Sequence, residues 1–98
     1  MKTGIAILVV SESSLQLSLT IAKHLPGSNL YSSFESIFTD TIPSIATFLK
    51  EHFNRFEAFV FVGSLGICVR SIAPFITDKH TDPAIVNIDS TGKYIVSV

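Results

Sequence analysis

The residues best suited to chemistry lie in one short segment, where a glycine-rich turn follows an apolar run. Gly63, Ser64 and Gly66 come directly after Ala58–Val62, and the next apolar stretch carries a single charge, Arg70. In open α/β sheets, ligands bind at the carboxyl ends of strands, where a helix amino terminus offers unpaired N–H groups to an anion. The segment therefore predicts an anion site. It lacks the G-x-G-x-x-G and phosphate-loop patterns, and the glycines could equally serve only to form a tight turn.

A second candidate segment is the polar cluster Asp78–Pro83, which contains Lys79, His80 and Asp82. It could contact substrate, with His80 or Asp82 as a general base. The interpretation we favour is a solvated connection in which Asp82 forms a turn before the proline.

Arg70 has two kinds of possible partner, and they imply different roles for its side chain. It could bind a carboxylate on a substrate, or it could pair internally with Asp78 or Asp82. We favour the internal pairing on sequence alone.

Other reactive side chains do not form a recognisable catalytic or metal pattern. His24 and His52 each fall near a predicted helix end without a second ligand at metal spacing, and Cys68 is most simply a small buried hydrophobe. Ser14 or Ser64 would need a nearby base to act as a nucleophile, and no such arrangement can be recognised. The phenylalanines fit core packing better than base stacking, because no basic residues alternate with them. We therefore predict no metal site and no cofactor.

The elements that position these residues alternate between strands and helices. Continuous apolar runs indicate strands that are covered on both faces. We predict a three-layer α/β sandwich with a mainly parallel sheet, flavodoxin- or Rossmann-like, whose last two strands can pair as an antiparallel edge hairpin. The expected strands are 4–10, 28–33, 58–62, 84–89 and 94–98, and the expected helices are 15–25, 43–56 (with Pro43 in its first turn) and 65–72.

Composition narrows the function classes. The chain has 98 residues, of which 47% are hydrophobic and only 15% charged, with a net charge of −1 and a mean hydropathy of +0.49. These values argue against disorder and a nucleic-acid partner, and no apolar run reaches the ~20 residues of a membrane span. A cytoplasmic location is expected. The apolar excess, and an apolar strand at Tyr94–Val98, predict that residues 1–98 are one domain of a longer protein. The isolated domain is expected to self-associate as a homo-oligomer.

The second half of the chain resembles the N-terminal part of the CbiG family of cobalamin biosynthesis. The resemblance rests on Gly63–Pro74, followed in order by Lys79, Asp82-Pro83-Ala84, Asp89 and Gly92. It covers residues 60–98, whereas residues 1–57 agree mainly in layout.

The resemblance implies part of a cobalt-precorrin-5A hydrolase. Similar proteins open the δ-lactone of a cobalt-bearing corrinoid precursor and release acetaldehyde, and some are fused to a precorrin methyltransferase. The expected partners are a corrinoid or tetrapyrrole substrate, which carries the cobalt, and the remaining domains of the protein. The expected substrate-binding residues are Gly63, Ser64, Gly66, Arg70 and Lys79, and we expect no catalysis by residues 1–98 alone. The alternative is a non-catalytic interaction or small-anion-binding module.

Overall fold

The computed structural model describes residues 2–78 and 80–98, which form a six-stranded sheet between helices. The strands are β1 (Ile5–Val9), β2 (Ser28–Ser32), β3 (Asp40–Thr41), β4 (Ala58–Val62), β5 (Ala84–Ile88) and β6 (Ile95–Ser97). The α-helices are α1 (Leu15–Lys23), α2 (Ile45–His52) and α3 (Leu65–Ile72), and short 3₁₀ turns stand at Glu12–Ser14 and Ala73–Phe75.

The sheet order is β3-β2-β1-β4-β5-β6. All neighbouring strands are parallel except β5 and β6, which pair antiparallel with Val86 opposite Ser97. The expected α/β sheet and its C-terminal antiparallel pair are therefore confirmed. The first connection runs from β1 to one side of the sheet, and the connection after β4 runs to the other side.

The core lies on both faces of the sheet, which explains the continuous apolar runs of β1 and β4. Alternate residues of β4 serve different layers: Phe59 and Phe61 pack under α2 and α3, whereas Val60 and Val62 pack towards α1. The α2–α3 layer holds more of the core residues, and six of the eight phenylalanines belong to it. The predicted role in the core is thus confirmed for these six, whereas Phe38 is exposed.

Two local expectations differ from the structure. Residues 36–43, expected to be a loop, include β3, whose two residues pair with Tyr31 and Ser32. Helix α2 begins after Ser44 rather than at Pro43, because the Ser44 Oγ accepts a hydrogen bond from the Thr47 amide at 3.0 Å. In the part of the chain that the structure describes, no helix is long and apolar enough to cross a membrane.

Candidate functional site at the carboxyl end of the central strands

The central crevice of this sheet lies between the carboxyl ends of β1 and β4. These neighbouring strands lead to connections on opposite faces of the sheet. The loops that follow them therefore diverge at the carboxyl ends of the strands, which is where a binding crevice forms in doubly wound folds. The loops contact each other at their base, where the Val10 amide donates to the Val62 carbonyl at 3.2 Å. Residues 10–14 form one side of this crevice and residues 63–66 form the other.

Gly63 fixes the close approach of the two loops. Its φ of +151° is a conformation that L side chains rarely adopt, and a Cβ added there would lie 2.8 Å from the Val10 Cβ. Its amide donates to the Ile88 carbonyl at 2.9 Å. Its carbonyl accepts from the Asn87 Nδ2 at 3.2 Å. The structure therefore supports the tight-turn interpretation for Gly63. Both its amide and its carbonyl already have hydrogen-bond partners within the chain.

The amino terminus of α3 differs, because its amides are available. Ser64 is the N-cap residue, but its side chain accepts no capping hydrogen bond. The first intrahelical bond runs from the Cys68 amide to the Ser64 carbonyl at 3.1 Å. Among the residues that the structure describes, the amides of Leu65, Gly66 and Ile67 have no acceptor. Unpaired amides at a helix start carry partial positive charge and attract anions.

Arg70 adds a full positive charge to the same place. Its side chain folds back along α3, so that Nη1 lies 3.9 Å from where a Cβ on Gly66 would stand. The Ser64 Oγ lies 3.6 Å from that same point. Gly66 thus leaves open the space between a hydroxyl and a guanidinium. Within residues 2–78 and 80–98, no carboxylate forms an ion pair with Arg70, so the favoured pairing with Asp78 or Asp82 is not seen.

The polar cluster lies at the opposite end of the sheet. It leads into the first residue of β5, whereas Ser64 follows the last residue of β4, and these strands run parallel in register. Five residues at ~3.3 Å each separate the two ends by about 16 Å. The structure therefore brings together Gly63, Ser64, Gly66 and Arg70 but does not place His80 or Asp82 with them. Lys79 lies outside the described residues.

Asp82 is occupied by its own loop. Its carboxylate accepts hydrogen bonds from the Thr77 amide at 2.8 Å, the Thr77 hydroxyl at 3.0 Å and the Asp78 amide at 3.1 Å. Partial desolvation raises its pKa, but these hydrogen bonds outweigh that effect and hold the pKa below the ordinary value. A carboxylate stabilised in this way is a weaker base, which favours the turn-forming interpretation.

His80 belongs to the same turn through its backbone. Its amide donates to the Asp78 Oδ1 at 2.9 Å. Its role as a base remains a prediction.

Sequence reasoning missed the serine side of the crevice. The Ser11 Oγ lies 2.9 Å from the Ser13 Oγ and 3.3 Å from the Ser14 Oγ, so three hydroxyls cluster after β1, the strand that neighbours β4. The sequence suggests a helix cap for residues 11–14 and, for Ser14, a nucleophile without a recognisable base. Their position after a buried strand was the signal that could have placed them at the site.

Asn87 was also missed. It is 2% exposed on an otherwise apolar strand, and its Oδ1 has no partner among the described atoms.

The remaining reactive side chains, those of Cys68, His24 and His52, lie where the sequence predicts them. Cys68 is fully buried, and burial raises the pKa of its thiol to about 11, so its predicted role as a small hydrophobe is confirmed. His24 follows the last turn of α1, and His52 ends α2, as expected. Within the described ranges, no three His, Cys, Asp or Glu residues are grouped so that they could hold a metal ion.

This doubly wound α/β domain, with its open site at the point where the connections diverge, has known relatives. A family model described as cobalamin synthesis G N-terminal matches residues 47–98. The chain therefore belongs to the CbiG N-terminal family, and the resemblance drawn from the sequence is confirmed.

Individual relatives agree with this assignment. Over 49 residues, the chain is 41% identical to a cobalt-precorrin-5A hydrolase of Salmonella typhimurium, an alignment that covers 50% of the chain and 14% of the relative. Over 55 residues, it is 42% identical to the protein of the same name from Priestia megaterium, covering 56% and 15%. The aligned half of the chain thus corresponds to about a seventh of each of these relatives.

A solved structure extends the likeness to the whole fold. The crystal structure of a cobalamin biosynthesis protein G homologue from Sulfolobus solfataricus superposes with a TM-score of 0.75. The match covers 97% of this chain and 28% of the other at 24% identity, so it establishes the fold alone. At this coverage it takes in most of residues 1–46, where the family model does not reach.

Proposed function

We propose that residues 1–98 form the N-terminal domain of a multidomain cobalt-precorrin-5A hydrolase and bind its corrinoid substrate. Two relatives at 41% and 42% identity carry this name, and each is several times longer than the region aligned. In this proposal the cobalt arrives within the substrate. The domain supplies binding and orientation, and other domains complete the catalytic site.

The observation that supports substrate binding is the open cationic end of α3. The substrate is a multiply carboxylated macrocycle, and a carboxylate fits a site that combines helix amides with a guanidinium. Leu65, Gly66 and Ile67 supply the free amides, and Arg70 lies above them. The hydroxyl of Ser64 stands at the same opening and can donate a further hydrogen bond.

A second use of the same amides, exclusive of carboxylate binding, is the chemistry of lactone opening. Water attack on a lactone creates a tetrahedral oxyanion, which preorganised N–H donors stabilise. The amides of Leu65, Gly66 and Ile67 are the donors that this site offers. The general base that activates the water must also reach the lactone. Asp82 lies at the opposite end of the sheet from these amides, which argues against that residue. His80 lies in the same loop, so the same separation argues against it, and we assign the base to another domain.

Replacing Arg70 by alanine in the full-length protein tests the proposal. Loss of a charge-assisted hydrogen bond of about 1.5–3 kcal/mol predicts a KM at least tenfold higher. The kcat should change little, because the carboxylate is bound alike in the ground and transition states. Acetaldehyde release provides the readout.

Arg55→Ala is the matched control, since Arg55 is exposed and lies near the start of β1, where its carbonyl accepts from Thr3. It should leave both kinetic constants unchanged. Normal kinetics in a folded Arg70→Ala protein would contradict the proposed role, as would equal losses in the two variants.

A further inference from the structure

The two edges of the sheet are unequally protected. Strand β3 is two residues long and carries the charged Asp40, features that discourage pairing with another strand. Strand β6 has no charged residue between Tyr94 and Val98, and both faces are open: Tyr94 and Ile95 are each 68% exposed, and Val96 is 38% exposed. The β6 edge is thus available for pairing.

The hydrogen bonds to β5 show which backbone groups of β6 point outwards. The Val98 amide donates to the Ile85 carbonyl at 2.9 Å, and the Tyr94 carbonyl accepts from the Asp89 amide at 3.1 Å. Alternate residues of an antiparallel strand direct their backbone groups to opposite sides. Ile95 and Ser97 therefore direct their N–H and C=O groups away from β5.

We propose that β6 pairs antiparallel with β6 of a second copy of this chain, about a two-fold axis at Val96. The outward groups belong to the residues on either side of Val96. This register therefore places Ile95 opposite Ser97 of the second copy, and Ser97 opposite its Ile95. Each edge has two outward N–H groups and two outward carbonyls. All of them then form hydrogen bonds with the other copy. No charged side chain within the paired segment meets another.

The side chains on one face match the same register. Tyr94 falls opposite Val98 of the second copy, where side chains approach closely because the pair is not hydrogen-bonded. Val98 borders a cavity of about 380 Å³ whose lining is mostly apolar, with Ile76 and Pro83 among it, and whose polar lining residues are Asp82 and Ser97. Each tyrosine ring can thus enter the cavity of the other copy, which adds an anchor of the kind that stabilises interfaces.

Sedimentation equilibrium of the 98-residue chain tests the interface. Val96→Lys places two like charges against each other at the axis and should raise the dimer dissociation constant at least tenfold. Ile37→Lys is the matched control, because Ile37 is 94% exposed near the opposite edge and should leave the constant unchanged. A wild-type monomer at millimolar concentration would overturn the proposal and assign this edge to another partner, as would a dimer indifferent to Val96→Lys.

A cross-link tests the register without disrupting the edge. At the axis, Val96 of the two copies should have Cα atoms ~4.5 Å apart, within disulfide range. Val96→Cys should form a covalent dimer in oxidised glutathione, whereas Ile95→Cys, which faces Ser97, should not. The native Cys68 is fully buried. Equal cross-linking of both variants, or none of Val96→Cys, would overturn the two-fold register.

Discussion

Polar groups at the two ends of the parallel sheet are used in different ways. At the amino end, the carboxylate of Asp82 accepts three hydrogen bonds from Thr77 and Asp78, so its hydrogen-bonding capacity serves the loop itself. At the carboxyl end, the first amides of α3 have no acceptor in the described structure, and Arg70 has no carboxylate partner there. A dense polar cluster in a sequence can thus be structural, while a nearly apolar segment supplies the groups left free for a ligand.

The largest expected effect comes from adding a side chain at Gly63, where the backbone lies close to Val10. Gly63→Val forces a side chain into a φ of +151° and towards the Val10 Cβ, 2.8 Å from the new Cβ. Strain and overpacking together should lower the free energy of unfolding by about 3 kcal/mol or more. Chemical denaturation of the 98-residue chain measures this loss.

Gly66→Ala is the contrasting substitution in the same turn. Its Cβ would meet only ordinary contacts, at 3.6 and 3.9 Å, and alanine is favoured over glycine in a helix. Stability should stay equal or rise by up to about 1 kcal/mol. Comparable losses in both variants would show that the turn has no special need for glycine at position 63.

A smaller effect is expected at the amino end of the sheet, where the carboxylate of Asp82 should make the stability of the fold depend on pH. Hydrogen bonds hold the folded-state pKa of Asp82 below its ordinary value of 3.8, although desolvation opposes them. The ionised form therefore stabilises the fold above that value, and this contribution is lost as the pH falls through the lower folded-state pKa. Asp82→Asn should weaken the acid dependence of thermal unfolding while leaving ligand binding intact.

Asp89 offers a comparison for that measurement. The Thr91 hydroxyl and the Tyr94 amide donate to its carboxylate, and these hydrogen bonds lower its pKa as well. Because the two carboxylates lie at opposite ends of β5, the effects of Asp82→Asn and Asp89→Asn should add. An unchanged acid transition in the double variant would contradict the structural role of both carboxylates.

Local patterns predicted most of the fold. The apolar runs of β1 and β4 indicated strands covered on both faces, and the short turn at Ser90–Lys93 predicted the β5–β6 pair. Strand β3 was missed because its two residues have no pattern of their own and pair only through the tertiary placement of β2. Helix α2 starts two residues later than proline placement indicated, because Ser44 caps it.

The site was only partly predictable for a related reason. Gly63, Ser64 and Gly66 were found because one strand–turn–helix segment contains them, and Arg70 joins them only because its side chain turns back along α3. The serines at 11–14 come from a distant segment and reach the site through the pairing of β1 with β4, which no local pattern specifies. The same pairing order places Asp82 at the opposite end of the sheet from Ser64, which the position of Asp82 in the sequence does not reveal.

A titration of the isotope-labelled 98-residue chain with uroporphyrin, a multiply carboxylated tetrapyrrole, compares the two ends directly by amide chemical shifts. Binding at the start of α3 should give saturable shifts at Leu65, Gly66 and Ile67, their loss in Arg70→Ala, and none at residues 77–82. Shifts confined to residues 77–82, or no shifts at the start of α3, would contradict the claim that this domain binds its substrate at the carboxyl end of the sheet.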